Sequence, residues 1–150
     1  MWKENIEKVR KRRGSYGRGL NEGASTGEIT ALREELKSQY NIELPQGYIT
    51  FLKYVNGIET NGCIIYGIDE KLVTGTPKQP ISGILEMNSI WYEDESQKAY
   101  LFLGEDNISW YVYELSTGKF LILDLPSGEV MEKYTSFEEM LNTALEDNLY

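Results

Sequence analysis

The spacing of apolar residues changes from helical to alternating about one third of the way along the chain. In the first part the apolar residues recur at helical spacing, which predicts helices over residues 1–13, 25–39 and 45–55. Ser25 and Glu28 have the spacing of a capping box at the start of the second of these helices. Pro45 fits the first turn of the third, where its missing N–H costs nothing.

Beyond residue 57 the pattern favours strands separated by turns. We expect strands at residues 63–66, 99–103, 108–114, 119–123 and 129–133, with helices at 82–92 and after Ser136. This order predicts an α+β fold, an antiparallel meander sheet with helices packed on it. The core is expected to contain Leu44, Tyr48, Phe51, Leu52, Ile64, Ile65, Trp110, Phe120, Ile122, Phe137 and Leu141.

The glycine-rich stretch at residues 14–23 divides the chain into two parts. We expect residues 1–24 to form an N-terminal basic helix followed by a Gly-rich flexible tether, and residues 25–150 to form the α+β domain. GSYGRG within the stretch loosely resembles a phosphate-binding loop, but it follows a helix and lacks the GKS/T signature, so a tether is the preferred interpretation.

Charge is distributed unevenly between these two parts. The 150 residues carry a net charge of -9, yet residues 1–20 contain seven basic and two acidic side chains, a net +5. The remaining residues therefore carry -14. An acidic body repels nucleic acid and attracts basic partners, so we expect no nucleic-acid binding and a basic protein partner. The basic run at 8–13 is either a phosphate contact or a solvated helix end.

The residue inventory excludes most familiar catalytic devices. With no His, the chain cannot build a Ser-His-Asp or Cys-His arrangement or a His-ligated zinc site, and a single Cys excludes an internal disulfide. Cys63 is interpreted as a core residue, with a nucleophile as the alternative. We therefore assign no catalytic residue, no metal site and no cofactor. A carboxylate-dependent hydrolase stays open as an alternative function.

Aromatic residues next to acidic clusters are the candidate binding surface. Tyr and Trp supply large contact areas at low entropic cost, and an acidic rim around them suits a basic protein. The alternative interpretation of each aromatic side chain is core packing. The candidate partner-binding residues are Glu93, Asp94, Glu95, Glu105, Asp106, Trp91, Tyr92, Tyr111 and Tyr113.

No apolar run is long enough for a transmembrane helix, and the basic N-terminus lacks the apolar stretch of a secretory signal. With a lone Cys, these features predict a cytoplasmic protein with no membrane association. The sequence does not indicate an oligomeric state.

Two segments resemble the SUKH superfamily, which is named after a yeast cell-wall synthesis regulator and related bacterial proteins. LPQGYITFLKYVNG at 44–57, followed by IIYGI, has the family's order of Leu-Pro, an aromatic helix closed by Asn-Gly, and a strand ending in Gly. The second half, from YLFLGEDNISWYVYELSTGKF to TSFEEML, is similar to the bacterial, YrhA-like branch. One departure is Gly47, which stands where the family often has an acidic residue.

The resemblance implies a non-enzymatic α+β domain. Bacterial members are implicated as immunity proteins that neutralise toxins, often nucleases, and the eukaryotic branch is linked to cell-wall regulation. For this chain the resemblance implies an immunity protein that binds a secreted toxin domain, with a regulatory scaffold as the alternative.

Overall fold

The computed structural model describes residues 1–149, which form five α-helices and one six-stranded sheet. The α-helices are α1 (Trp2–Gly14), α2 (Thr26–Tyr40), α3 (Gln46–Tyr54), α4 (Ile84–Trp91) and α5 (Phe137–Asp147). The strands are β1 (Ile58–Thr60), β2 (Cys63–Ile65), β3 (Tyr100–Glu105), β4 (Ser109–Glu114), β5 (Phe120–Asp124) and β6 (Val130–Tyr134). Short 3₁₀ segments span Glu70–Leu72 and Glu95–Ala99.

The sheet is an antiparallel meander in which each strand pairs with the next along the chain, in the order β1 to β6. The α+β prediction is therefore confirmed. All the expected core residues are buried except Ile64, which is half-buried. Ile64 lies opposite Glu105 in the register, at a position with a charged neighbour.

Local sequence signals account for the start of α2. The Ser25 hydroxyl accepts a hydrogen bond from the Glu28 N–H at 3.1 Å, and the Glu28 carboxylate accepts one from the Ser25 N–H at 2.8 Å. The predicted capping box is thus complete. The Glu28 carboxylate also accepts the N–H of Thr74, which ties α2 to the loop before α4. The hydrogen bonds from the N–H groups of Ser25 and Thr74 lower the pKa of Glu28.

Strand β1 was not predicted from the sequence. It pairs with β2 through the turn residues Asn61 and Gly62, whose φ angles are 50° and 85°. A two-residue turn with positive φ angles has a backbone twist that matches that of the two strands it joins. Asn and Gly tolerate these angles, so an Asn-Gly pair favours a hairpin. The dipeptide is the signal that would have located this hairpin.

Helix α1 is part of the same core as the rest of the chain. Trp2, Ile6 and Val9 are buried, and the Trp2 ring lies 5.5 Å from that of Tyr54 and 6.2 Å from that of Phe51. The Arg12 guanidinium donates hydrogen bonds to the Leu149 carbonyl and the Thr60 hydroxyl. Arg12 thus ties α1 to the C-terminal segment and to β1.

The expectation of a flexible tether after α1 needs correction. Residues 15–19 form an exposed turn, but Leu20 and Asn21, which follow it, are buried. The Asn21 amide donates to the carbonyls of Asn56 and Gln79, at 3.0 and 2.8 Å. Leu20 and Asn21 hold this segment against the domain, through an apolar side chain and a hydrogen-bonded amide respectively. A prediction based on glycine content alone overlooks both contacts.

Gly47 allows the start of α5 to approach α3 closely. A Cβ at this position would lie 2.9 Å from the Phe137 Cβ and 2.4 Å from a carboxylate oxygen of Glu138. An acidic side chain here would also bring like charges together. The departure from the family pattern therefore has a steric and an electrostatic reason in this fold.

Candidate functional site

Two of the predicted aromatic anchors are buried and engaged within the fold. Tyr92 is 7% exposed, its hydroxyl donates to the Tyr100 carbonyl, and its ring meets that of Tyr40 edge-on at 5.1 Å. Tyr111 is 2% exposed and its hydroxyl donates to Asp106. Burial raises the pKa of both phenols. Trp110, on the opposite face of β4, is buried too.

The other two aromatic candidates, Trp91 and Tyr113, are half-buried on opposite faces of the sheet. Trp91 packs edge-on against Trp110 at 5.5 Å, and its indole N–H donates to the Tyr66 hydroxyl at 3.1 Å. Tyr113 lies on the face of α5, with its ring 5.0 Å from that of Phe120. These two side chains cannot contribute to one continuous contact surface.

The five predicted acidic residues are also divided between surfaces. Glu93, Asp94 and Glu95 are exposed where α4 ends, and Asp94 caps the following 3₁₀ segment by accepting the Ser96 N–H. Glu105 accepts the Tyr66 hydroxyl at 2.8 Å on the face of α4. Asp106 points to the other face, where it accepts the Tyr111 hydroxyl.

A groove that the sequence analysis missed brings Asp106 together with two distant carboxylates. It has a volume of about 440 Å³ and lies between the β3–β4 turn, the start of β6 and the C-terminal end of α5. Asp106, Glu132 and Asp147 line it, and we call it the acidic groove. Ile108 and Met131 also line it and are 71% and 59% exposed, so the groove offers apolar surface beside its carboxylates.

The sheet register explains how this groove forms. Tyr111 pairs with Ile122, and Ile122 pairs with Glu132, so the three side chains form a row on one face of adjacent strands. The turns at residues 116–118 and 126–128 set that register, and both turns are visible in the sequence. The position of Asp147 beside the row depends on how α5 crosses the sheet, which no local pattern specifies.

Like charges in the acidic groove repel one another. The pKa of Asp147 is raised, first by partial burial and then by the negative charges of Glu132, Glu146 and Asp106. A cationic group placed in the groove would relieve this repulsion. The groove is therefore suited electrostatically to a basic side chain.

Cys63 lies in β2 with its side chain fully buried. Burial, together with the nearby charge of Asp106, raises the pKa of its thiol to about 12. The thiol is therefore protonated at neutral pH and lacks the character of a nucleophile. The core interpretation of Cys63 agrees with this environment.

The basic run of α1 forms a separate surface. Lys8, Lys11 and Arg12 line a groove of about 410 Å³ beside Leu149. Arg12 bonds within the fold, and the guanidinium of Arg13 donates to the Gly19 carbonyl at 3.1 Å. Part of the basic charge therefore stabilises the fold.

Within residues 1–149, no three His, Cys, Asp or Glu side chains are grouped in a way that could hold a metal ion. The carboxylates of the acidic groove accordingly line a surface without converging on one point. None of the helices in the same range has the length and apolar character needed to cross a bilayer.

The meander sheet with helices packed on it defines a small α+β domain. A family profile described as the SMI1 / KNR4 family (SUKH-1) matches residues 23–143, about four fifths of the chain. The chain therefore belongs to this family, which confirms the resemblance seen in the sequence. A comparison with curated proteins gives no match. Membership is consistent with an immunity or regulator-like protein.

Proposed function

We propose that this chain is a non-enzymatic protein-binding module of the immunity type, which binds a basic toxin domain and blocks it sterically. The observation that carries the proposal is the acidic groove, with its three carboxylates and its two exposed apolar side chains. Family membership supports the immunity or regulator class. The toxin itself and its nuclease nature belong to the proposal.

The physical argument rests on competition for positive charge. A nuclease domain must present Lys and Arg side chains to hold phosphates. An acidic surface can occupy those side chains, and long-range attraction speeds the encounter. Ile108 and Met131 would supply the apolar contact area at the centre, since solvated charge pairs alone contribute only about 0–1 kcal/mol each.

The test compares two double charge reversals that change the net charge equally. The partner is first isolated by affinity capture and then purified, and its association with this chain is measured at several salt concentrations. Glu132→Lys with Asp147→Lys alters the acidic groove, whereas Glu93→Lys with Glu95→Lys alters the exposed acids at the end of α4. We expect the first variant to associate about tenfold more slowly at low salt and the second to change little.

Four results would contradict this proposal. Equal slowing by both variants would indicate a general effect of net charge, and unchanged rates in both would remove acidic steering altogether. A larger effect of the α4 variant would favour the rim that the sequence analysis proposed. A captured partner with no toxic activity would instead favour the regulatory scaffold.

A further inference from the structure

The two edges of the sheet differ in how their backbone groups are satisfied. At the β1 edge, the Gln79 side chain acts as a substitute strand, because its amide accepts the Glu59 N–H at 3.1 Å and donates to the Glu59 carbonyl at 3.0 Å. Gln79 is buried, and Asn21 holds its backbone through two hydrogen bonds of 2.8 Å. This edge is closed to further pairing.

The β6 edge is open. Four of its five residues are exposed, including Val130 and Met131 at 40% and 59%. β6 is the last strand of the sheet, and none of the loops or side chains in residues 1–149 hydrogen-bonds to the backbone of Val130 or Lys133. An unpaired strand edge of this kind is a template for another strand.

The register identifies the backbone groups that face outward. The Asp124 N–H donates to the Glu129 carbonyl at 2.8 Å, and the Asp124 carbonyl accepts the Gly128 N–H at 2.7 Å, so Asp124 occupies a hydrogen-bonded position of the β5–β6 ladder. Bonded and non-bonded pairs alternate in an antiparallel ladder. Val130 and Lys133, which lie opposite Leu123 and Leu121, therefore occupy the non-bonded positions on either side of the bulge. Their N–H and C=O groups point away from β5.

Charge selects the kind of strand that this edge can accept. Glu129 and Glu132 lie on or beside β6, where Lys133 is the single basic residue, and Glu132 adjoins Asp147 in the acidic groove. A second copy of the chain pairing through β6 would place two surfaces of net negative charge against each other, which is unfavourable. A strand with basic side chains would be complementary.

We propose that an extended segment of a basic protein partner adds to β6 as a further antiparallel strand. Main-chain hydrogen bonds to Val130 and Lys133 provide the attachment. Because side chains alternate between faces, Lys or Arg at every second position of the added strand lies on the side of Glu132 and Asp147. This inference rests on the proposed function, in that it specifies how the basic partner is held.

The test uses two synthetic peptides, one of alternating lysine and valine and the other with glutamate in place of lysine. The full chain is titrated with each, and amide hydrogen exchange is followed by NMR. We expect the lysine peptide alone to bind, and the amides of Val130 and Lys133 to become protected at least tenfold on binding. These amides should exchange freely in the unbound chain at any protein concentration.

Two variants separate the backbone from the side chain at the same position. Lys133→Pro removes the outward N–H without breaking a ladder bond, since that N–H does not face β5. Lys133→Thr removes the charge but keeps the N–H. We expect the proline variant to weaken peptide binding at least tenfold and the threonine variant to bind within about twofold of wild type. Circular dichroism and the urea midpoint report whether each variant is folded.

The outcomes distinguish this inference from the proposed function. If the lysine peptide binds but Val130 and Lys133 remain unprotected, strand addition is wrong while an acidic binding surface stands. If neither peptide binds, or if both bind equally, strand addition by a basic segment is also wrong. Protection that rises with protein concentration alone would assign the edge to a second copy and overturn the proposal. The charge-reversal kinetics judge the proposed function separately, with the purified partner.

Discussion

Replacing Trp2 with Ala tests whether α1 is integral to the domain. The sequence analysis separated residues 1–24 from the domain, whereas the structure buries Trp2 against Tyr54 and Phe51. A buried indole removes about 200 Å² from water, which corresponds to about 5 kcal/mol at 25 cal/mol per Å². That figure is an upper bound, because unfolded chains are partly compact.

We therefore expect Trp2→Ala to lower the free energy of unfolding by about 3 kcal/mol, at the lower end of measured Trp and Phe truncations. The lower end applies because Trp2 lies in the first turn of α1, where the helix can relax around the lost side chain. In a domain of this size the melting temperature should fall by about 6–12 °C.

The assay is urea unfolding followed by circular dichroism, with Tyr16→Ala as the matched control. Tyr16 is 78% exposed and lies just beyond α1, so its truncation should change stability by less than about 0.5 kcal/mol. A Trp2→Ala shift no larger than that of the control would refute the packing of α1. A separate early transition confined to α1 would also refute it.

Three further effects follow from local features of the fold. Ser25→Ala should lower the unfolding free energy by about 1 kcal/mol by removing the Glu28 capping box, and a loss below about 0.3 kcal/mol in urea unfolding would contradict this. Cys63 should not react with a thiol reagent at pH 8 in the folded chain but should react fully in denaturant, and rapid reaction of the native protein would be inconsistent with its burial. Asp147→Asn should stabilise the fold by a few tenths of a kcal/mol at neutral pH. The folded-state pKa of Asp147 is raised above 3.8, so its repulsion by the neighbouring carboxylates is present at neutral pH. Protonation relieves this repulsion as the pH falls through the raised pKa, so the stability gained by Asp147→Asn should shrink in unfolding curves measured at acid pH.

The features that the sequence predicted correctly depend on short-range chemistry. The capping box at Ser25 and the meander from β3 to β6 depend on caps, turns and alternation within a few residues. The Asn61–Gly62 hairpin has an equally local signal, and it was missed because β1 has only three residues.

The features that the sequence did not predict depend on long-range packing. Glu105 and Asp106 are neighbours in the sequence, yet they project to opposite faces of the sheet. Asp147 joins Asp106 only because α5 crosses the sheet at a particular place. Of the acidic residues predicted from the sequence, Asp106 alone therefore lies in the acidic groove.

Hydrogen exchange of the complex with the purified basic partner tests the central claim most directly. The account expects slowed exchange at residues 130–133, at the β3–β4 turn around Asn107 and at the C-terminal end of α5, all of which border the acidic groove. The turn after α1, at residues 15–19 beside the basic residues of that helix, should exchange as in the free chain. Protection at that turn, with the acidic groove unchanged, would contradict the account and assign binding to the basic N-terminal surface.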